Sequence, residues 1–255
     1  MRTAARSTRA PQSAARLGRA PAAAERLALA LIGAALATPA AADVGGSLVI
    51  ASDDRFRGVS TSDGRPVVTA ALSLDDPSGL YGGVSVTAGG VHDEGVRVLR
   101  SVQYVGYARR VAPSVSVDVG AVRRAYDRYA TIEYGRSFAE LYAGLVGRRL
   151  SAHLFYAPSY DGWGHNASYV QVEGTLVERG RVTLSGHIGA LRPPRIEGFG
   201  RAVTVDWRLG ATWRPDQLAA VSLTWIGAGQ GYDRYSENRR TGRRGALVFS
   251  VSRAF

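Results

Sequence analysis

Seven charged residues stand where charge is costly. Asp53, Arg55 and Arg57 fall at every second position of one strand-like stretch, and Glu140, Glu173, Asp206 and Arg208 sit in the middle of others. Acids and arginines spaced this way can do two kinds of chemistry. They can pair and cross-link a wall, because a charge out of water is costly unless it is paired or wetted. Or they can form a ring that selects which solute passes. Both readings stay open on the sequence. Two histidines, His153 in "LSAHLFYAPS" and His187 in "TLSGHIGA", raise a third chemistry, hydrolysis by a base beside a serine nucleophile. A base must reach its nucleophile and be oriented by a third group. No serine motif adjoins either histidine, and both fall on the face that carries the acids. His92 and His165 lie in connections, and four scattered histidines give no metal-ligand spacing. No cofactor is implied.

The elements that must hold these residues are strands. Val115, Val117, Val119 and Ala121 alternate with Ser116, Asp118 and Gly120. Val203, Val205, Trp207, Leu209, Ala211 and Trp213 alternate with Thr204, Asp206, Arg208, Gly210 and Thr212. Period-two patterning is the signature of a strand with two unlike faces. Twelve such stretches are expected, near 46–59, 66–74, 79–88, 98–108, 114–123, 137–146, 150–157, 168–178, 181–190, 201–213, 218–227 and 244–255. The stretch 98–108 alternates poorly. Short connections ("DDPS", "RRVAP", "GRR", "RG", "PDQ") take turns with longer polar ones, the longest "AGQGYDRYSENRRTGRR". A barrel of the outer membrane sorts its loops by parity in this way, with tight periplasmic turns and longer outside loops. A soluble sandwich has no reason to.

Lipid explains the rest. Every backbone N–H and C=O inside a bilayer must be paired, so a spanning sheet closes on itself. Its apolar face then points outward, and the charged face lines the lumen. With Phe56 toward lipid, Asp53, Arg55 and Arg57 turn inward. Tyr81, Tyr107, Tyr156, Trp207, Trp213 and Trp225 lie toward strand ends, where an interfacial belt belongs. The chain stops on Phe255, the terminal aromatic of a barrel sorting signal, read by the barrel-assembly machinery. Arg253 departs from that pattern.

Residues 1–42 read as an export signal. Six arginines precede the eleven-residue apolar run Leu27 to Ala37, which is too short to span a membrane as a helix, and small residues follow. Removing that segment's six arginines and one glutamate lowers the formal net charge from +11 to +6. Cysteine is absent, so disulfide and thiol chemistry are excluded. The basic residues are scattered, without a nucleic-acid-binding motif. The expected fold is therefore all-β, a transmembrane antiparallel up-and-down barrel over residues 43–255. Its expected surroundings are outer-membrane lipid, with a small anionic solute in the lumen and no nucleic acid. A porin-like channel is the leading function. A closed barrel acting through its outer loops comes second, and a lipid-modifying enzyme third.

The stretch "SDDRFRGVSTSDGRP", residues 52–66, resembles the signature of the Gcw_chp family of Gram-negative proteins of unknown function, S-D-Y-x-F-R-G-x-S-x-S-D-x-x-P. Ser52, Asp53, Phe56, Arg57, Gly58, Ser60, Ser62, Asp63 and Pro66 match, and Asp54 replaces the tyrosine. "GLYGGV" (79–84), "FAELYAGL" (138–145), "YAPSYDG" (156–162, with Ser159 in place of a common acid) and "VFSVSRAF" (248–255) match further. The resemblance implies an outer-membrane barrel and no particular substrate.

Overall fold

The computed structural model describes residues 42–130, 137–160, 164–194, 203–229 and 245–255; the apolar run expected as an export signal lies outside them. Twelve strands close into one antiparallel barrel. They are β1 (Asp43–Ala51), β4 (Val67–Asp75), β5 (Leu80–Val91), β6 (Gly95–Ala112), β7 (Val115–Tyr126), β8 (Ser137–Gly147), β9 (Leu150–Ala157), β10 (Ala167–Arg179), β11 (Val182–Arg192), β12 (Thr204–Trp213), β13 (Ala219–Ala228) and β14 (Ala246–Ala254). Two short strands, β2 (Arg55–Phe56) and β3 (Val59–Ser60), form a separate hairpin. Each barrel strand pairs with its neighbours in the chain, and β1 closes on β14.

Burial is inverted relative to a soluble protein. Leu48, Ile50, Val68, Val105, Leu141, Leu154, Val170, Leu209, Leu223 and Phe249 are exposed, while Glu140, Thr61, Thr87 and Asp206 are among the most deeply buried side chains. A contiguous apolar exterior of this kind needs lipid to cover it.

The tight turns, expected on the periplasmic side, all fall at one end of the barrel, at 76–79, 113–114, 148–149, 180–181 and 214–218, together with the start of β1 and the end of β14. The loop-length rule holds with one exception. The stretch "AGGVHDEGVR" was expected as a long loop and is mostly strand, with a turn only at His92–Glu94, so β5 and β6 rise as a hairpin above their neighbours. The poor alternation of 98–108 has two local causes: Ser101 and Gln103 stand on the outward face with Val102 inward, and a bulge precedes them. Thr87 pairs with Arg100 but Ala88 with Val98, so Leu99 is an extra, bulged residue. Leu99 is buried inside, and the strand's facing shifts by one at that point.

The seam between first and last strands is closed by the chain end. Phe255 and Gly46 exchange both backbone hydrogen bonds, at 2.9 and 3.0 Å. The Phe255 ring lies so close over Gly46 that any side chain there would collide with it. Arg253, the departure from the sorting pattern, reaches Asp216 of the last periplasmic turn at 3.6 Å. The amides of Leu218 and then Ala219, each 2.7 Å from Asp216 Oδ1, hold that carboxyl below the usual carboxylate range.

Candidate functional site

The first strand ends at Ala51, not near residue 59. From Ser52 the chain leaves the wall at the outer end, folds into the lumen and returns to it at Val67. Phe56 pairs with Val59 across the two-residue turn Arg57–Gly58, with φ of +49° and +83°. Positive φ at both central residues is the geometry of a type I′ hairpin, and glycine takes it without strain. Arg57 does not have that freedom. Gly58 is obligatory for a second reason: a Cβ there would lie 2.5 Å from the Gly227 carbonyl oxygen and 2.7 Å from the Ala228 side chain, both on β13.

The hairpin is a crossbar. The strand opposite β1 in the ring is β9, and Arg57 reaches the two strands that flank it. Its Nη2 donates to Glu140 Oε1 on β8 at 2.5 Å, and its guanidinium lies 3.8 Å from the centre of the Tyr169 ring on β10. Glu140 also takes Arg124 of β7, Nε to Oε2 at 3.3 Å. Arg100 of β6 pairs with Asp54 at 2.7 Å. Inside the crossbar, Asp53 accepts from Arg55 Nε at 2.6 Å, Ser60 Oγ at 2.6 Å and Ser62 Oγ at 2.9 Å. Arg55 Nη1 also reaches the Gly58 carbonyl at 2.7 Å. Each matched polar residue of the 52–66 signature thus has work within this loop or at its root. At that root, Ser52 exchanges hydrogen bonds with the backbone of Phe249.

Phe56 does not face lipid. It lies inside, against Tyr126 and Phe138, with Arg124 stacked 5.0 Å from its ring centre. Val59 packs on a second internal cluster formed by Ala167, Tyr169, Leu191 and Ala228. The inference that Phe56 outward turns Asp53, Arg55 and Arg57 inward fails in its premise, because 52–66 is not wall. The three residues are in the lumen all the same, carried there by the infolded loop. Tyr81 is likewise internal and not part of a belt, whereas Tyr107, Tyr156, Trp213 and Trp225 are outward and exposed near strand ends.

Two further polar clusters lie in the lumen toward the tight-turn end. In one, Glu173 of β10, His187 of β11, and Asp206 and Arg208 of β12 come together. Arg208 donates to Glu173 at 3.0 Å, and His187 Nε2 lies 3.0 Å from Asp206 Oδ1, which also accepts from the Tyr169 hydroxyl at 3.1 Å. In the other, Tyr81 donates to Asp118 Oδ1, its oxygen lies 2.6 Å from the Tyr142 hydroxyl, and His153 Nε2 is 3.0 Å from Asp118 Oδ2. Among the described residues neither histidine bonds a serine hydroxyl, and no cluster of metal-ligating side chains occurs.

The seven singled-out residues therefore divide. Asp53, Arg55, Arg57 and Glu140 form one layer, and Glu173, Asp206 and Arg208 form another beneath it. Sequence reasoning missed Asp54, Arg100 and Arg124 as lumen charges. Arg100 was hidden by the Leu99 bulge. Arg124 was hidden in an Arg-Arg pair that alternation splits, with Arg124 inward and Arg123 outward. The described lumen layers hold five arginines (55, 57, 100, 124, 208) against six acids (Asp53, Asp54, Asp118, Glu140, Glu173, Asp206). Much of the remaining arginine is at the rim that carries the tight turns, as at Arg109, Arg110, Arg148, Arg149, Arg181 and Arg214.

The profile of a family described as "bacterial protein of unknown function (Gcw_chp)" matches residues 36–255. No curated protein sequence matches. Among solved structures, the KdgM porin superposes with a TM-score of 0.51 at 11% identity, covering 83% of this chain and 99% of the porin. The NanC porin, in a rhombohedral crystal form, gives 0.50 at 8% identity, covering 83% and 98%. Identities this low speak to the fold, which is that of an outer-membrane porin barrel.

Proposed function

The chain belongs to the Gcw_chp family of bacterial proteins of unknown function, and we propose that it is an outer-membrane, porin-like channel for small polar or anionic solutes, narrowed from within by the 52–66 crossbar. The observation that carries this reading is the crossbar itself. It spans the lumen of a porin-type barrel and sets Arg57 against Glu140 and Tyr169, with the half-exposed Glu173 and Arg208 below. Opposed charges at a narrowing bind a polar solute weakly enough to release it. The anionic preference would come from the mouth at the tight-turn end, where Arg110, Arg148, Arg149, Arg181 and Arg214 gather, and not from the nearly balanced lumen layers. Export through residues 1–42 and assembly through the strand ending at Phe255 belong to the same proposal, as does the absence of enzymatic activity.

The crossbar's burial favours a second reading. Thr61 is fully buried and Glu140 is only 2% exposed, which suits a closed barrel that acts through its outer loops. Conductance separates the two. Refolded residues 43–255 in a planar bilayer under a salt gradient should show small, steady, anion-preferring steps, enlarged in Arg57→Ala. Silence from wild type, Arg57→Ala and Glu140→Ala, all shown to be inserted, would discard the channel. Hydrolysis of membrane lipid abolished by His153→Ala or His187→Ala would discard both readings in favour of an enzyme.

A further inference from the structure

The lipid-facing wall is apolar through its middle, and toward its outer edge it carries outward polar side chains in two places, Ser168 with Arg192 on β10 and β11, and a larger group on β6 to β8. On β6, Val105 and Tyr107 face outward and are followed upward by Gln103 and Ser101. On β7, Val117, Val119 and Ala121 are followed by Arg123, and on β8 Leu145, Ala143, Leu141 and Ala139 are followed by Ser137. These four polar residues are neighbours. Gln103 is registered with Arg123, and Ser101 with Ala125, which in turn faces Ser137. Arg123 Nη2 donates to Ser137 Oγ at 3.1 Å, and Gln103 Nε2 donates to Ser101 Oγ at 3.1 Å. At matching distances from the tight-turn end, β1, β4, β12 and β13 present Ile50, Val68, Val205 and Trp225, and β10 and β11 present Val170 and then the pair Ser168 and Arg192.

The height of the patch is telling. Arg123 lies eight residues above Val115, the periplasmic start of β7. At about 3.3 Å per residue and a tilt near 45°, that is about 19 Å up an apolar band about 25 Å tall. That is about halfway from the midplane to the outer edge of the band, where the penalty on a cation is below its midplane maximum and a long arginine side chain extends toward the headgroups. The outward face of β6 to β8 carries no carboxylate. Arg123 is exposed, and among the described residues its guanidinium makes a single hydrogen bond, so donors remain for a ligand. Directly below it Val119, Ala121, Leu141 and Leu145 form a smooth apolar wall.

We propose that this patch is a docking site for a phosphate-bearing lipid of the outer leaflet, with Arg123 on the phosphate, Gln103, Ser101 and Ser137 on adjoining polar groups of the headgroup, and the acyl chains against the wall beneath. The chemistry fits: a guanidinium recognises phosphate through forked, charge-assisted hydrogen bonds, and a polar head above an apolar wall complements one amphiphile. The inference rests on the outer-membrane reading above, because that reading decides which leaflet the patch meets.

The test uses the folded protein in phosphatidylcholine nanodiscs doped with diphosphorylated lipid A, or with the same glycolipid stripped of phosphate. Native mass spectrometry then counts the lipid retained on release. The expected result is preferential retention of the phosphorylated form, lowered about tenfold in Arg123→Ala, the loss expected for one charge-assisted contact. Arg123→Lys should retain part of the preference, Gln103→Leu should weaken it, and Arg109→Ala at the periplasmic rim should leave it unchanged. Equal retention of both glycolipids, or no effect of Arg123→Ala, overturns the site. A dimer mass lost in Arg123→Ala without change in lipid overturns it in favour of a second copy of the chain. Retention is read in a defined bilayer, independent of conductance and of the native membrane. A silent barrel with phosphate preference discards only the channel, and fractionation away from the outer membrane discards only the location.

Discussion

Arg57 and Glu140, 83 residues apart in sequence, meet across the lumen with Nη2 2.5 Å from Oε1, and both side chains are almost wholly buried. The pair is not symmetric. Glu140 serves two arginines, so deleting Arg57 leaves it paired with Arg124, whereas deleting Glu140 takes the one carboxylate they share away from both buried cations. Breaking a buried pair by removing one partner costs about 3–5 kcal/mol. Glu140→Ala should therefore destabilise the barrel by about that much, and Arg57→Ala by clearly less, in urea titrations followed by heat-modifiable gel mobility. Equal losses would mean that Arg124 does not hold Glu140.

Gly58 tests the turn without touching charge. Its φ of +83° and the nearby Gly227 carbonyl leave no room for a Cβ. Gly58→Val should displace the hairpin tip and raise single-channel conductance above that of wild type, while the barrel keeps its far-ultraviolet strand spectrum. Unchanged conductance would show that the crossbar does not limit the passage.

Accessibility should follow depth below the crossbar. Cysteine at Glu173, 38% exposed in its side chain, should react with an aqueous maleimide, whereas cysteine at Asp206, 3% exposed, should react slowly in wild type and faster alongside Gly58→Val. Cysteine at Val205, which is outward, should react only with a lipid-soluble reagent. The reverse pattern for Glu173 and Val205 would refute the facing of β10 and β12.

The wall was legible in the sequence because a strand with lipid on one side and a lumen on the other has to alternate. Val115 to Ala121 and Val203 to Trp213 do so, and the observed strands keep those faces. Residues 52–66 were not legible for the same reason. "SDDRFRGVS" alternates as well, and a period of two cannot distinguish a strand in the wall from a hairpin inside it. The available signal was Arg57-Gly58, a dipeptide with glycine at the second turn position, flanked by short hydroxyl and carboxylate side chains that bond their own backbone. Which lumen residues would meet was beyond reach, since Arg57 finds Glu140 and Tyr169 only through closure of a twelve-strand ring.

The chain end offers another check. Deleting Phe255 removes both backbone bonds to Gly46 and the ring that covers it. The expected outcome is a marked loss of the heat-modifiable folded form during refolding into liposomes, with Gly46→Val, which collides with the same ring, giving a similar loss. Normal yield from both variants would show that the seam closes without the terminal residue.

Acid should loosen the last periplasmic turn selectively. The carboxyl of Asp216 is held below its usual range by the amides of Leu218 and Ala219, so the turn's share of stability is present above the usual carboxylate range and is lost as pH falls through the lowered value. Hydrogen-exchange protection at Leu218 and Ala219 should therefore fall toward the level of Asp216→Ala at low pH, and exceed it at neutral pH. Equal protection of the two proteins at neutral pH would remove Asp216 from the account.

The crossbar hangs between β1 and β4, and the partners it grips across the lumen belong to β6, β7, β8, β9, β10, β11 and β13. None of those grips can form on an open, uncurled sheet. Its seating must therefore come after ring closure at the β1–β14 seam, as a late step in folding. A half-assembled barrel would have an unobstructed lumen, and the finished one is narrowed by its own first loop, so the order in which the strands come together also decides when the passage takes its final width.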